Sequence, residues 1–115
     1  MSILTPYIKY KKSYLKKIWN EWSNIPDSTQ RLKFTLASYN CGYFHVKDAQ
    51  CLTKFYKKDS ISWDNGVDEF ILKLMKPKYY NHKVVKYGYC RGREPYNYVE
   101  QIFNRYEAYK DLINQ

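Results

Sequence analysis

No run of about 18 consecutive apolar residues occurs in this chain, so it holds no candidate membrane-spanning helix. The N-terminus lacks the apolar core of a secretory signal, because Ile3 and Leu4 give way at once to Pro6 and a lysine cluster. If the protein is exported, its signal is expected outside these residues. There is no internal repeat and no low-complexity linker. Cysteine is sparse and odd in number: Cys41, Cys51 and Cys90 cannot all pair internally and do not form the framework of a small secreted disulfide domain. They read as buried thiols acting as small hydrophobes, with one disulfide plus a free thiol as the alternative. Acidic residues are outnumbered, 11 against 20 Lys and Arg, which leaves a net charge of +9. Such a surface points to an anionic partner without choosing among nucleic acid, anionic lipid and other acidic polymers. Nothing alternates as a strand.

What is present is enough for one domain, residues 1–115, and not for two. A chain of this size buries roughly 65% of the surface its unfolded form exposes. Hydrophobic residues make up 44% and aromatics 19%, with fourteen tyrosines. Tyrosine packs an apolar ring while its hydroxyl seeks a polar partner, so it suits the wall of a groove as well as a core.

The pattern predicts an all-α chain of about five helices. The first spans residues 7–22, with Ile8, Leu15, Ile18 and Trp22 on one face and lysines on the others. Asp27 caps the second, with Gln30 three residues on as its reciprocal partner. This helix turns Leu32, Leu36 and Tyr39 inward, and Gly42 supplies the left-handed turn that stops it. The third spans residues 44–56 through Val46, Ala49, Leu52 and Tyr56. The fourth starts near Trp63, capped by Asp64 or Asn65, carries Val67, Phe70, Ile71 and Leu74, and ends at Pro77. Residues 78–93 read as an aromatic loop. The last helix, residues 95–113, opens on Pro95.

Tyr39 and Asn40 fall at the end of a helix, just before a glycine turn. An amide there can donate and accept toward a sugar acetamido group, and a tyrosine ring can stack on a sugar face. The plainer reading is a helix end with a buried tyrosine and an asparagine satisfying loose carbonyls. The wider context is more specific. Ala37-Ser38-Tyr39-Asn40 resembles the Ala-Tyr-Asn motif of the lytic murein transglycosylases, with serine in place of a small residue. Gly42, His45-Val46 and Asp48-Ala49 continue the likeness toward the membrane-bound F-type subfamily. Trp63-Asp64, Pro77-Lys78-Tyr79-Tyr80, Lys86-Tyr87-Gly88-Tyr89 and Arg91-Gly92 follow in the same order. Glu94, Tyr98-Val99 and Ile102 resemble the closing motif. The resemblance covers roughly residues 3–110.

The resemblance implies a lysozyme-like fold, the C-terminal part of the catalytic domain only, and a cleft for peptidoglycan glycan strands in the cell envelope or periplasm. It implies no cofactor. Carried over, the sugar-contact positions are Tyr39, Asn40 and Tyr98, with Tyr87 and Tyr89 as further wall residues and Gly42 as the structural turn. The family's one glutamate protonates the glycosidic oxygen, then acts as base while the substrate's own 6-hydroxyl closes an anhydro ring. That acid must stand in an apolar setting that keeps it protonated near neutral pH. It normally belongs to an upstream Glu-Ser pair, which this chain lacks. Glu21, Glu69, Glu94, Glu100 and Glu107 do not match its position. No catalytic residue is therefore assigned, and these 115 residues alone are expected to be inactive. A truncated chain, a split enzyme completed by an upstream segment or second chain, and a non-catalytic derivative all remain open.

Zinc is not expected, since Cys41 and His45 lack a second ligand pair. His82 is expected to be exposed. The lysines of 9–17, 54–58 and 73–86 read as a solvated basic face or as attraction for an anionic polymer. Lysines interleaved with aromatics also describe single-stranded nucleic-acid binders, kept as the alternative class, although no compact nucleic-acid motif is present.

Overall fold

The computed structural model describes the backbone of residues 12–113 and the side chains of residues 13–105. Among them are six helices and no strand. Helix α1 runs Lys12–Glu21, α2 Ser28–Cys41, α3 Tyr43–Phe55, α4 Asp68–Lys73, α5 Pro77–Tyr80 and α6 Arg93–Ile113. The expected positions Ile8, Lys9 and Lys11 lie outside the described residues.

Helix α1 buries Leu15 and Ile18, and the turn that follows it buries Trp22 and Ile25. Trp22 is the hub of the core. Its ring lies 4.8 Å from those of both Phe34 and Tyr43, and Phe34 in turn meets Trp63 edge-on at 5.9 Å. Its indole N–H would be costly to bury alone, and it donates to Ser38 Oγ at 2.9 Å. Arg31 ties α2 back to the end of α1, its guanidinium 4.1 Å from the Trp19 ring and donating twice to the Trp19 carbonyl.

The cap on α2 differs from the expected reciprocal pair. Asp27 Oδ1 does accept from the Gln30 N–H at 2.9 Å, as predicted. The Gln30 side chain does not return to Asp27. Its amide oxygen accepts from the N–H groups of Trp63 and Asp64, and its Nε2 donates to Asp64 Oδ2. A capping residue is thereby spent on bracing a distant turn.

That turn is where the fourth expected helix departs most from prediction. Trp63–Val67 is a kink, with Asp64 extended (ψ 128°) and Asn65 left-handed (φ 56°), and regular helix begins only at Asp68. Pro77 opens a helix instead of ending one, since α4 already stops at Lys73: Pro77–Tyr80 makes a single turn that runs into the segment expected to be loop, because proline is pre-set for a first helical position. This raises the helix count from about five to six. The remainder, 81–92, is irregular. Helix α6 starts two residues earlier than expected and packs on α2 and α4. Gly92 is what lets it approach, since a Cβ there would collide with the Ile71 carbonyl.

Candidate functional site

Helix α2 stops at Cys41 because Gly42 takes φ 100°, ψ 141°, a backbone that side-chain-bearing residues avoid. The Gly42 N–H closes the last turn onto the Ser38 carbonyl at 2.8 Å. Tyr39 and Asn40 thus occupy the final turn of α2, Tyr39 half-buried and Asn40 exposed. Tyr98, half-buried on α6, stacks on Tyr39 with ring centroids 6.3 Å apart and 30° between planes. Tyr14 of α1 adds a third ring 6.1 Å from that of Tyr39. Three helices therefore each contribute a tyrosine to one cluster. Burial first, and Tyr39 second, push the Tyr98 hydroxyl above its ordinary pKa, so it stays a protonated donor through neutral pH.

The wall residues Tyr87 and Tyr89 are each just over half exposed, and the structure gives no ring contact between them and the Tyr39–Tyr98 pair. The device that holds their segment was not apparent from the sequence. Asp48, buried on α3, accepts the N–H of Lys86 at 3.0 Å through Oδ1 and that of Tyr87 at 2.8 Å through Oδ2. A buried carboxylate needs such donors, and two consecutive amides satisfy both its oxygens. The exposed Phe44 ring then stacks on Tyr87 at 4.7 Å. Tyr89 meets Tyr80 edge-on at 5.8 Å. The sequence marked Asp48 only through the Asp48-Ala49 pair of the family likeness, which gave no hint of the amides it holds.

Cys90 belongs to the buried core, and Cys41 packs against it. The influence of Cys90 first, then burial, pushes the Cys41 thiol above the ordinary thiol range, and Cys41 holds that of Cys90 below it, while Cys41 Sγ lies 3.8 Å from the Gly42 carbonyl oxygen. Only Cys90 is buried; Cys41 and Cys51 are half-buried, which corrects the expectation of three buried thiols. His82 is half-buried rather than exposed, its Nδ1 accepting from the Val84 N–H and its ring 4.4 Å from Phe55. Several lysines lie over rings instead of standing free, among them Lys73 over Phe70 and Lys83 over Phe55.

The described glutamates, Glu21, Glu69, Glu94 and Glu100, are all exposed, so none has the apolar setting that keeps a carboxylic acid protonated near neutrality. A polar hollow of about 110 Å³ brings Asp64 and Asp68 together with Lys33, Tyr96 and Glu100. Burial pushes Asp64 upward, but hydrogen bonds from Lys33 and Gln30 outweigh it and hold its carboxyl below the usual range. Burial raises Asp68, partly offset by backbone N–H groups; its Oδ1 accepts from the Gly66 N–H, so it is engaged in fixing the turn. Among the described residues no group of three or more His, Cys, Asp or Glu could hold a metal ion, and no helix is long and apolar enough to cross a membrane.

An all-α, lysozyme-like domain that joins a Tyr-Asn helix end to a tyrosine of a long closing helix defines the class. No family model matches the chain. Curated relatives do. It is 39% identical over 98 residues to a membrane-bound lytic murein transglycosylase F of Desulfosudis oleivorans, covering 85% of this chain. It is 40% identical over 109 residues to that of Shewanella woodyi, covering 94%, and 41% identical over 98 residues to that of Serratia proteamaculans, covering 83%. Over most of its length the chain is thus homologous to the membrane-bound lytic murein transglycosylase F proteins. It spans only 21%, 22% and 19% of the length of these three relatives.

Proposed function

We propose that these residues form the glycan-gripping side of a peptidoglycan-processing groove in the cell envelope, and that they contribute recognition rather than proton donation. The observation that carries this reading is the stacking of Tyr39 on Tyr98 across two helices, next to the exposed Asn40. A half-buried tyrosine pair offers a ring face to the C–H face of a pyranose and a protonated hydroxyl to its polar edge. Asn40 can both donate and accept, which suits an acetamido group. Tyr87 and Tyr89 extend the wall. The net charge of +9 favours an acidic polymer such as peptidoglycan, whose peptides carry carboxylates.

The relatives are named lytic murein transglycosylases. Cleavage of that kind requires a sheltered carboxylic acid, and the four described glutamates are all in water. In this reading the acid comes from an upstream segment or a second chain that completes the groove.

Co-sedimentation with purified, insoluble peptidoglycan tests the reading. Binding should weaken roughly tenfold on replacing Tyr39 and Asn40 together by alanine. It should exceed binding to a single-stranded oligonucleotide at the same salt. Binding that ignores the double substitution, or a stronger and salt-steep affinity for the oligonucleotide, contradicts it. On the same substrate the 115 residues should release no anhydro-muropeptides. Release that a single Glu→Gln change abolishes would overturn the division between recognition and catalysis.

A further inference from the structure

The end of α4 and the turn after it meet the start of α6 around an open hollow of about 420 Å³. Small-molecule sites are of this size, roughly 300–1,000 Å³. Two features set its walls. The Lys76 N–H donates to the Lys73 carbonyl at 2.9 Å, which winds residues 74–76 tightly after the helix. Gly92 lets the start of α6 close on the Ile71 carbonyl. Arg93, Tyr96 and Asn97 are spaced three and four apart, so they share the face of α6 that lines the hollow. Tyr98 falls about 140° around the helix from Arg93, so the tyrosine pair and the hollow occupy different sides of α6.

The charge of this hollow is one-sided. Lys73, Lys76 and Arg93 line it against a single carboxylate, Glu69, which is answered by Lys73 at 3.8 Å. Among the described residues no carboxylate pairs with Lys76 or Arg93. Cations that share one concavity repel each other and are relieved by an anion. A guanidinium together with an ammonium suits a carboxylate, because the planar guanidinium can bind both of its oxygens. The rest of the lining is uncharged. Leu72 and Met75 are half-buried and offer apolar surface, and Asn97 can donate and accept toward an amide. An inorganic anion would use the cations alone, whereas a peptide end uses all three kinds of wall. We infer that this hollow binds the free carboxylate end of a short peptide with a small apolar last side chain. The inference rests on the proposed function only for the source of that peptide, since the peptides of peptidoglycan carry carboxylates. The chain then holds the glycan on one side of α6 and a peptide end on the other.

The test titrates N-acetyl-D-alanyl-D-alanine into the chain at low salt, with its C-terminal amide and inorganic phosphate as separate arms. NMR follows the Met75 methyl, the Tyr96 ring and the Asn97 side-chain amide. The free acid should shift these signals along one saturation curve. The amide should bind about tenfold more weakly, because it loses the charge-assisted contacts. Arg93→Gln should weaken the acid about tenfold and Lys76→Gln about threefold. Both side chains are exposed, so the Trp22 and Phe34 signals should stay in place. Equal affinity for acid and amide overturns the inference, as does phosphate that moves the same signals with the affinity of the acid. So does an absence of shifts at the hollow, or a folded Arg93→Gln protein that binds the acid as before. The comparison of acid with amide uses the unmodified chain, so a variant that fails to fold does not affect it. Replacing Tyr39 and Asn40 by alanine should leave dipeptide binding unchanged; loss of it there would put the peptide in the groove and overturn the inference. Failure at the hollow is thus read from the dipeptide, and failure of the glycan reading from co-sedimentation.

Discussion

Trp22, Phe34 and Trp63 pack ring against ring with no more than 2% of their surface exposed, whereas Phe44, Tyr87 and Tyr89 are each more than half exposed. Both sets contain close ring pairs, at 4.8 Å in one and 4.7 Å in the other. They differ in what holds them. The inner rings are fixed by burial, and the Trp22 indole N–H donates to Ser38 of α2. The outer Tyr87 is fixed through its backbone, by a buried carboxylate on another helix. An exposed ring positioned in this way keeps its face free, which an inner ring cannot do. Aromatic abundance in a sequence thus has two meanings, and the hydrogen bonds around each ring separate them.

Trp22→Ala should break the inner region most severely. It leaves a cavity and strips Ser38 of its partner, at a cost of about 4 kcal/mol, which urea denaturation would read as a large fall in midpoint. Asp48→Ala comes next. It leaves the amides of Lys86 and Tyr87 without their acceptor, at about 2 kcal/mol, and hydrogen exchange at those two amides should accelerate more than exchange in α2. Tyr87→Ala should change stability by less than about 0.5 kcal/mol, because its ring is mostly in water; equal losses for Tyr87→Ala and Trp22→Ala would erase the contrast between the regions. Asp64→Asn gives a small effect that depends on pH. The folded state holds the Asp64 carboxyl below its ordinary pKa, so its stabilisation is present above the usual carboxylate range and is lost as pH falls through the lowered value. With that side chain 49% exposed, the effect is under about 1 kcal/mol. Melting curves of the two proteins should differ near neutrality and converge only once the pH has fallen through that lowered value, below the usual carboxylate range.

Where a signal was local, the sequence carried it. Asp27 caps α2, Gly42 ends it with positive φ, and Leu15, Ile18 and Trp22 form one buried stripe. The family resemblance implied that Tyr39 and Tyr98 share one neighbourhood, and their rings stack. Long-range choices were not legible. Gln30 had a sufficient local role as a capping partner, and only the fold shows that its amide is taken by Trp63 and Asp64. Gln30 braces the residues just before the left-handed Asn65, so the kink at 63–67 could not be told from a regular helix start. The segment 81–92 owes its place to Asp48, more than thirty residues away, and has no periodicity of its own.

The most direct measurement is an NMR titration of the chain with a soluble N-acetylglucosamine–N-acetylmuramic acid oligosaccharide, following the ring protons of Tyr39 and Tyr98 and the side-chain amide of Asn40. The account predicts that these signals shift together along one saturation curve, with weaker shifts at Tyr87 and Tyr89 and none at Trp22 or Phe34. Shifts confined to the lysines, or to the hollow around Asp64 and Asp68, with Tyr39, Asn40 and Tyr98 unmoved, would contradict it.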